Sequence, residues 1–312
     1  MSYEKINRII QSDPSLLGYQ AEIINRQGQN HVFKINDNNN YKPSFYAKFT
    51  ADDEIWGSAT TRIHREIIAT NLINNSTSIR APESRIVLDP ITGQECLIQE
   101  ELRGDPFDVI ISREKDNRIL LKDISYQSGR VLSMIHQIKG SSYGEIINVN
   151  SGKFDTWDEC FCTEIQRILK LTRDNRILKP SQEIFFTKKL TNGCPRVFAK
   201  PVLSHRDFTP QNIITDVQNR TIVGVIDFEI AQFWTQEWDI TRTSAFFEYP
   251  HGNKDLLTNF IKGYSEHQNI DEKSLIETIK FYKTFERLYY WVWGWNKGLR
   301  EDINDDIRRV IK

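Results

Sequence analysis

Residues 202–216, VLSHRDFTPQNIITD, decide the fold. Polar residues stand here between two short apolar runs, and the second run turns at DVQNR and returns as TIVGVIDFE. We predict two neighbouring strands joined by that turn, because short apolar runs bounded by Asn and Asp are typical of a hairpin. Such a hairpin would bring Asp207, Asn212 and Asp227 together at one end. An acid that closes a buried strand is costly unless it binds something.

Two carboxylates and an amide in one place suit phosphoryl transfer, a reaction in which the protein has little covalent chemistry to perform. One carboxylate orients the attacking hydroxyl. The second carboxylate and the amide oxygen hold magnesium on the phosphates of the nucleotide. The pattern therefore indicates a kinase site at the end of the hairpin.

The composition lies in the ordinary range of globular proteins. The chain has 312 residues, of which 39% are hydrophobic and 27% charged, and its formal net charge is −1. A charge so near zero provides no basic field that would recruit nucleic acid or an anionic membrane. The N-terminal residues are interrupted by charge and lack the apolar segment of a signal peptide. We therefore expect a soluble, cytoplasmic protein whose partners are small molecules, with no nucleic acid and no membrane.

The cysteines do not indicate a metal centre. Cys160 and Cys162 form a Cys-x-Cys pair, Cys96 and Cys194 stand apart, and no His follows at metal-ligand spacing. We expect reduced thiols that pack as small hydrophobic side chains.

The pattern of the chain changes near residue 102. Before it, the runs AEIINRQGQNHVFKIN, SFYAKFT, ESRIVLD and ECLIQEEL indicate strands. A single helix lies among them, SATTRIHREIIATNLINN, with Ser58 as its cap. After RGDPF the runs are mostly helical. We predict an α+β fold with a strand-rich lobe over residues 1–101 and a mainly helical lobe over residues 102–312.

HRDFTPQN followed by IDFE resembles the catalytic and metal-binding signatures of the aminoglycoside phosphotransferase family and its kinase-fold relatives, including choline and fructosamine kinases. Further segments match in the same order: YAKF, REIIATNLI, LIQEELRG, and MIHQI with YGEI. The resemblance implies a two-lobed protein-kinase-like fold, in which a small antiparallel sheet with one helix forms the N-terminal lobe over a mainly helical C-terminal lobe.

The resemblance also implies roles for the polar residues of the opening stretch. Asp207 would be the catalytic base or the acid that orients the hydroxyl. Asn212 and Asp227 would be the ligands of Mg²⁺. Lys48 would hold the α- and β-phosphates, and Glu66 would pair with it, because an ammonium is a compact charge for phosphate oxygens.

Four more residues would contact the nucleotide. The backbone from Glu100 to Leu102 would bind the base, with Gln99 beside the pocket, and Gly28 would let the hairpin RQGQNHVF approach the phosphates. The cofactors would be Mg²⁺ and either ATP or GTP.

Several of these residues also have an ordinary interpretation. Lys48 suits an edge strand, where lysine is common, and Glu66 suits a solvated helix face. We expect His205 and His136 to be buried scaffold residues. We expect Asp239 to brace the catalytic loop through backbone hydrogen bonds, as the corresponding acid does in the relatives.

Three tryptophans, Trp291, Trp293 and Trp295, cannot share one face of a helix, because residues two apart point in different directions. We expect at least one of them in the core. Another could stack on a sugar or a cationic group.

The sequence departs from the family at Arg206, where the relatives usually have Gly and protein kinases have Arg. Asp227 is followed by FE and not by FG, and no Ala-Pro-Glu segment follows. We therefore predict a small-molecule kinase that transfers the γ-phosphate to a hydroxyl, with an aminoglycoside antibiotic as leading acceptor. The alternatives are a kinase of a choline-, fructosamine- or sugar-like metabolite, a protein kinase, and a non-catalytic nucleotide-binding regulator.

Overall fold

The structure is a computed structural model that describes residues 3–25, 30–38, 41–192, 200–248, 253–268 and 272–311. The chain forms two compact units. Unit 1 comprises Met1–Arg113 and Gln211–Ile230, and unit 2 comprises Glu114–Pro210 and Ala231–Lys312. The lobe boundary between residues 101 and 102 stays a prediction.

Helices and strands both contribute, which confirms the predicted α+β class. The helices are α1 (Tyr3–Ser12), α2 (Ala59–Ser76), α3 (Phe107–Arg113), α4 (Arg118–Ile135), α5 (Trp157–Asp174), α6 (Pro180–Asn192), α7 (Glu237–Glu248), α8 (Lys254–Gln268), α9 (Glu272–Asn296) and α10 (Arg300–Ile311). The strands are β1 (Tyr19–Asn25), β2 (His31–Asp37), β3 (Phe45–Phe49), β4 (Ser84–Leu88), β5 (Glu95–Glu100), β6 (Asp105–Pro106), β7 (Gly144–Glu145), β8 (Val202–Ser204), β9 (Ile213–Asp216), β10 (Thr221–Val225) and β11 (Gln232–Trp234).

Unit 1 contains an antiparallel sheet of order β1-β2-β3-β5-β4. Alternate residues of β2, Phe33 and Ile35, are buried on one face, as period-two strands require. α2 begins at the predicted cap, where Ser58 Oγ accepts a hydrogen bond from Thr61 N at 3.2 Å.

The prediction of a single α-helix before residue 102 is wrong, because α1 also lies there. Ile6, Ile9 and Ile10 of α1 follow the i, i+3, i+4 spacing of a helical stripe. They are buried in the core that backs β1 and β2. The helix was not predicted because charged residues interrupt this apolar stripe. Burial of the stripe against the sheet is what stabilises α1.

A second sheet of unit 1 has the order β10-β9-β6 and contains the predicted hairpin. Ile213 pairs with Val225, so Asn212 and Asp227 both lie just beyond the same end of the hairpin. Gly224 stands at an irregularity of the ladder, and a Cβ there would lie 2.3 Å from the carbonyl oxygen of Arg80. Only glycine allows this close approach.

Unit 2 is mainly helical. α4 and α8 pack closely, since a Cβ added to Gly129 would lie 2.0 Å from the carbonyl oxygen of Phe260, and one added to Gly263 would lie 2.0 Å from that of Tyr126. A small sheet of order β7-β11-β8 completes the unit, and β8 leads into the predicted catalytic loop. Among the described residues, the longest helices remain too polar to cross a lipid bilayer.

Candidate active site

Lys48 lies on β3, which pairs with β2 on one side and β5 on the other. It is therefore not an edge-strand lysine, and only 6% of its surface is exposed. Its Nζ lies 3.0 Å from Glu66 Oε2, 2.6 Å from Asp227 Oδ1 and 2.7 Å from Glu229 Oε2. Burial alone would lower the pKa of Lys48, but these carboxylates raise it well above its ordinary value. Lys48 is held as a buried cation.

Glu66 lies on α2 and is fully buried, so it does not belong to a solvated helix face. Its other oxygen accepts a hydrogen bond from Gln99 Nε2 at 3.1 Å. Burial, together with the charges of Asp227 and Glu229, raises the pKa of Glu66 to about 7 against the opposing effect of Lys48. The structure thus brings the two predicted residues Lys48 and Glu66 into direct contact.

Glu229 is a site residue that the sequence analysis missed. It forms a buried ion pair with Arg62 of α2 and accepts a hydrogen bond from Asn30 Nδ2 at 2.9 Å. Burial would raise the pKa of Glu229, but Lys48 and Arg62 lower it to about 2. Glu229 therefore ties α2, Lys48 and the residue that precedes β2 into one network. The sequence feature that could have indicated Glu229 is its position two residues after the predicted metal ligand Asp227.

Asn212 and Asp227 flank the end of the hairpin, where Ile226 N donates to the carbonyl oxygen of Asn212 at 3.0 Å. Asp227 has a φ of 68°, in the left-handed region that Asp and Asn enter more readily than most residues. Its side chain is 38% exposed, whereas that of Lys48 is 7% exposed. Carboxylate and amide oxygens are the ligands that Mg²⁺ prefers. The binding of Mg²⁺ by these two side chains stays a prediction.

Three residues predicted to contact the base lie where β5 ends. Gln99 Nε2 donates to Ser84 Oγ as well as to Glu66. Glu100 N donates to the carbonyl oxygen of Glu83, just before β4, at 3.0 Å, and Leu102 is buried against Gly224. Contact of these residues with a nucleotide stays a prediction. Gly28 lies outside the described residues.

In unit 2 the predicted catalytic loop follows β8 and is fixed by α7. Asp239 accepts hydrogen bonds from His205 N at 2.8 Å and Arg206 N at 2.7 Å, which is the brace that the sequence predicted. His136 Nε2 contacts the same carboxylate at 3.0 Å and is buried at the C-terminus of α4. Thr243 Oγ1 also donates to the carbonyl oxygen of Phe208. α7 thus forms hydrogen bonds to both ends of the loop, His205 and Phe208.

The surroundings of Arg206 explain how an arginine is accommodated where the family usually has glycine. Its φ is 70°, a conformation that glycine adopts freely and other residues rarely adopt. The guanidinium is buried between two indole rings, 4.4 Å from the centroid of Trp234 and 4.1 Å from that of Trp238. These cation–π contacts offset the backbone strain.

Asp207 is partly exposed, at 29% of its side chain. Arg242 Nε of α7 donates to its Oδ1 at 2.8 Å, and Arg242 Nη1 donates to Glu286 Oε1 of α9 at 2.9 Å. The sequence analysis missed Arg242 and Glu286. The available signal was spacing, because Asp239, Arg242 and Thr243 are placed at i, i+3 and i+4 on one face of α7.

A cavity of about 480 Å³ opens onto Arg242 within unit 2. Its walls come from α7, α9 and α10, and the lining residues are Arg242, Ala245, Phe246, Glu248, Lys283, Glu286, Arg287, Tyr290, Asp302, Asp305, Asp306 and Arg309. Basic and acidic side chains line it together with Ala245, Phe246 and Tyr290.

The C-terminal tryptophans divide as their spacing predicts. Trp291 is fully buried and donates from Nε1 to Asp306 Oδ2 at 2.8 Å. Trp293 is 42% exposed, and Trp295 lies 5.2 Å from the guanidinium of Arg300.

Comparison with known proteins places this geometry in a family. The profile of the phosphotransferase enzyme family matches residues 22–272. No curated protein matches the whole sequence in a direct search.

Among solved structures, a thermostable mutant of aminoglycoside phosphotransferase APH(4)-Ia with AMP-PNP and hygromycin B is similar, with a TM-score of 0.68 at 15% identity, covering 99% of this chain and 98% of that one. The gentamicin complex of APH(2")-IIa also has a TM-score of 0.68, at 14% identity over 99% of this chain and 95% of that one. APH(2'')-Ib with ADP has a TM-score of 0.67, at 13% identity over 98% and 97% of the two chains. These similarities confirm the predicted kinase-like fold. The match over residues 22–272 shows that the chain belongs to the phosphotransferase enzyme family.

Proposed function

We propose that this phosphotransferase transfers the γ-phosphoryl group of a magnesium nucleoside triphosphate to a hydroxyl of a small molecule. The contact of buried Lys48 with both Glu66 and Asp227 carries this proposal. A buried ammonium on a central strand, fixed by one carboxylate and beside another that is partly exposed, is prepared to bind phosphate oxygens.

The donor residues would act by positioning. Lys48 would bind the α- and β-phosphates while Glu66 and Glu229 hold its ammonium in place. Asn212 and Asp227 would hold Mg²⁺, which supplies charge neutralisation for the phosphates. Asp227 is the partner of Lys48 with an exposed carboxylate, so it is free to turn towards a cation without breaking the buried pairs.

Asp207 would orient the attacking hydroxyl. The hydroxyl oxygen forms a bond to the γ-phosphorus as the bond from that phosphorus to the β,γ-bridging oxygen breaks. The nucleoside diphosphate leaves, and the hydroxyl proton passes to the carboxylate of Asp207. His205 N and Arg206 N donate hydrogen bonds to Asp239 of α7, and these bonds keep the neighbouring Asp207 in position.

We further propose an aminoglycoside as the acceptor class. The solved relatives include complexes with hygromycin B and gentamicin. In this chain, acids of α9 and α10 line the cavity that opens onto Arg242, the partner of Asp207. Carboxylates attract the amino groups of such molecules.

A second candidate is a kinase of another hydroxylated metabolite. The observation that favours it is the basic half of the cavity lining, Arg242, Lys283, Arg287 and Arg309, which a polycationic antibiotic does not require.

The test is transfer of label from γ-labelled ATP and GTP, with Mg²⁺ and with EDTA, to kanamycin A, hygromycin B, choline, fructosamine and glucose. We expect magnesium-dependent label on at least one of these acceptors and release of the diphosphate. Lys48→Met is expected to weaken nucleotide binding. Absence of transfer to every acceptor with both nucleotides would contradict the proposal.

A further inference from the structure

Arg242 links the carboxylate of Asp207 to the cavity of unit 2. One guanidinium bridges Asp207 Oδ1 at 2.8 Å and Glu286 Oε1 at 2.9 Å, and it also lines the cavity. These two bonds use two of the five N–H donors that an arginine carries. Asp207, Arg242 and Glu286 thus form a row that ends at the cavity wall.

The charges of the cavity are unevenly distributed. Lys283 is paired with Glu248 at 2.7 Å, and Arg287 lies 3.5 Å from Asp306. α10 contributes two further acids to the wall, Asp302 and Asp305.

The acids of this wall affect Tyr290, which also lines the cavity. Burial and the nearby carboxylates of Asp302 and Asp306 raise the pKa of its hydroxyl. The wall from α10 carries three carboxylates and one guanidinium, that of Arg309, whereas the guanidinium of Arg242 lies beside Asp207.

We propose that Arg242 is a specificity-determining residue of the acceptor cavity, which orients Asp207 and disfavours positive charge next to the reacting hydroxyl. This inference rests on the proposed kinase function. The acceptor is a polyhydroxylated compound whose reacting hydroxyl is flanked by neutral or anionic groups. Its amino groups, where it has them, lie towards the acids of α10.

The physical reason is distance. A hydroxyl that hydrogen-bonds Asp207 places its neighbouring substituents within a few ångströms of the guanidinium. An ammonium there is repelled, because like charges at such separations interact strongly where water is partly excluded. Arginine is suited to this role, since its planar fork directs separate N–H groups at two carboxylates, whereas lysine donates from a single nitrogen.

Isothermal titration with kanamycin A as the probe tests the inference on four variants and the wild type. Kanamycin A carries several ammonium groups, so removing the positive charge with Arg242→Gln should tighten its binding by about fivefold. Arg242→Lys keeps the positive charge, so it should not show the tighter binding expected of Arg242→Gln. Asp302→Asn should weaken binding by about fivefold. Lys262→Gln, which removes an exposed charge of α8, is the matched control and should change nothing.

Turnover provides the second readout. With an acceptor that carries amino groups, Arg242→Gln should lower kcat by roughly tenfold, because Asp207 loses the group that orients it, while KM falls. A variant that was merely damaged would not bind kanamycin A more tightly than the wild type.

Unchanged or weaker binding by Arg242→Gln overturns the inference, as does failure of the wild type to bind kanamycin A at all. Failure of the proposed function is a separate result, because a protein that transfers no phosphate can still show the predicted order of dissociation constants.

Discussion

The ammonium of Lys48 contacts three carboxylates, which differ in how far they are buried. Glu66 and Glu229 are buried, whereas the side chain of Asp227 is 38% exposed. The buried pair fixes the position of the ammonium. The partly exposed Asp227 is the partner that we expect to contact a cation, because its carboxylate keeps access to water.

The pKa of Glu66 predicts a pH dependence of stability. Its folded-state pKa of about 7 lies above the ordinary value of 4.5, chiefly because of burial. The folded state therefore binds the proton more tightly, and the stability that Glu66 contributes is complete below pH 4.5 and is lost as the pH rises through about 7. Glu66→Gln should remove this loss, because an amide does not titrate.

Urea unfolding of the wild type and Glu66→Gln between pH 4.5 and 8 measures the effect. Glu301→Gln, on the exposed surface of α10, is the control and should follow the wild type. Parallel curves for Glu66→Gln and the wild type would show that the carboxyl is not titrating in this window.

Glu229→Gln should destabilise unit 1. Arg62 is 2% exposed and would keep its charge in a buried site with its carboxylate partner removed. Such a loss typically costs about 3–5 kcal/mol. The free energy of unfolding in urea checks this value, and nucleotide affinity should fall as well, because Lys48 loses one of its supports. If Glu229→Gln lowered the free energy of unfolding no more than Glu301→Gln does, the stabilising role of the Glu229–Arg62 pair would be contradicted.

At the scale of the element, α7 holds the predicted catalytic loop in place. It presents Asp239, Arg242 and Thr243 on one face, and they contact the backbone or side chains of residues 205–208. An α-helix holds these groups rigidly, because successive turns are fixed by backbone hydrogen bonds. Precise placement of Asp207 therefore depends on α7 as a whole.

Asp239→Asn should lower both stability and turnover. The carboxylate serves two backbone N–H groups and His136 in a fully buried site, and an amide has only one acceptor oxygen for them. We expect a loss of about 2–4 kcal/mol in unfolding free energy and a lower kcat with unchanged nucleotide affinity. Asp255→Asn is the matched control, because the side chain of Asp255 on α8 is exposed. Equal kcat for Asp239→Asn and the wild type would show that the brace does not position Asp207.

The elements that sequence could predict were those with a clear local period or turn. The β9-β10 hairpin and the start of α2 at Ser58 are examples, since turns that contain Asp and Asn, and Ser caps, act over a few residues. α1 was missed because its apolar stripe is narrow and interrupted by charge, and only packing on the sheet reveals its purpose.

At the scale of the whole molecule, the order of the motifs predicted the family and the fold, and both are confirmed. The sequence could not show Arg62 against Glu229, or Arg242 between Asp207 and Glu286. Each of these contacts joins residues far apart in the chain, and its energy depends on burial that no local pattern records. The cytoplasmic location and the absence of nucleic-acid partners stay predictions.

The central claim is that Asp207 orients the acceptor hydroxyl in phosphoryl transfer. The most direct measurement is the single-turnover rate of label transfer from γ-labelled nucleotide to the acceptor for the wild type and Asp207→Asn, with nucleotide affinity measured on the same samples. We predict a rate at least about 100-fold lower for the variant and an unchanged nucleotide dissociation constant. Transfer by Asp207→Asn at the rate of the wild type would contradict the claim.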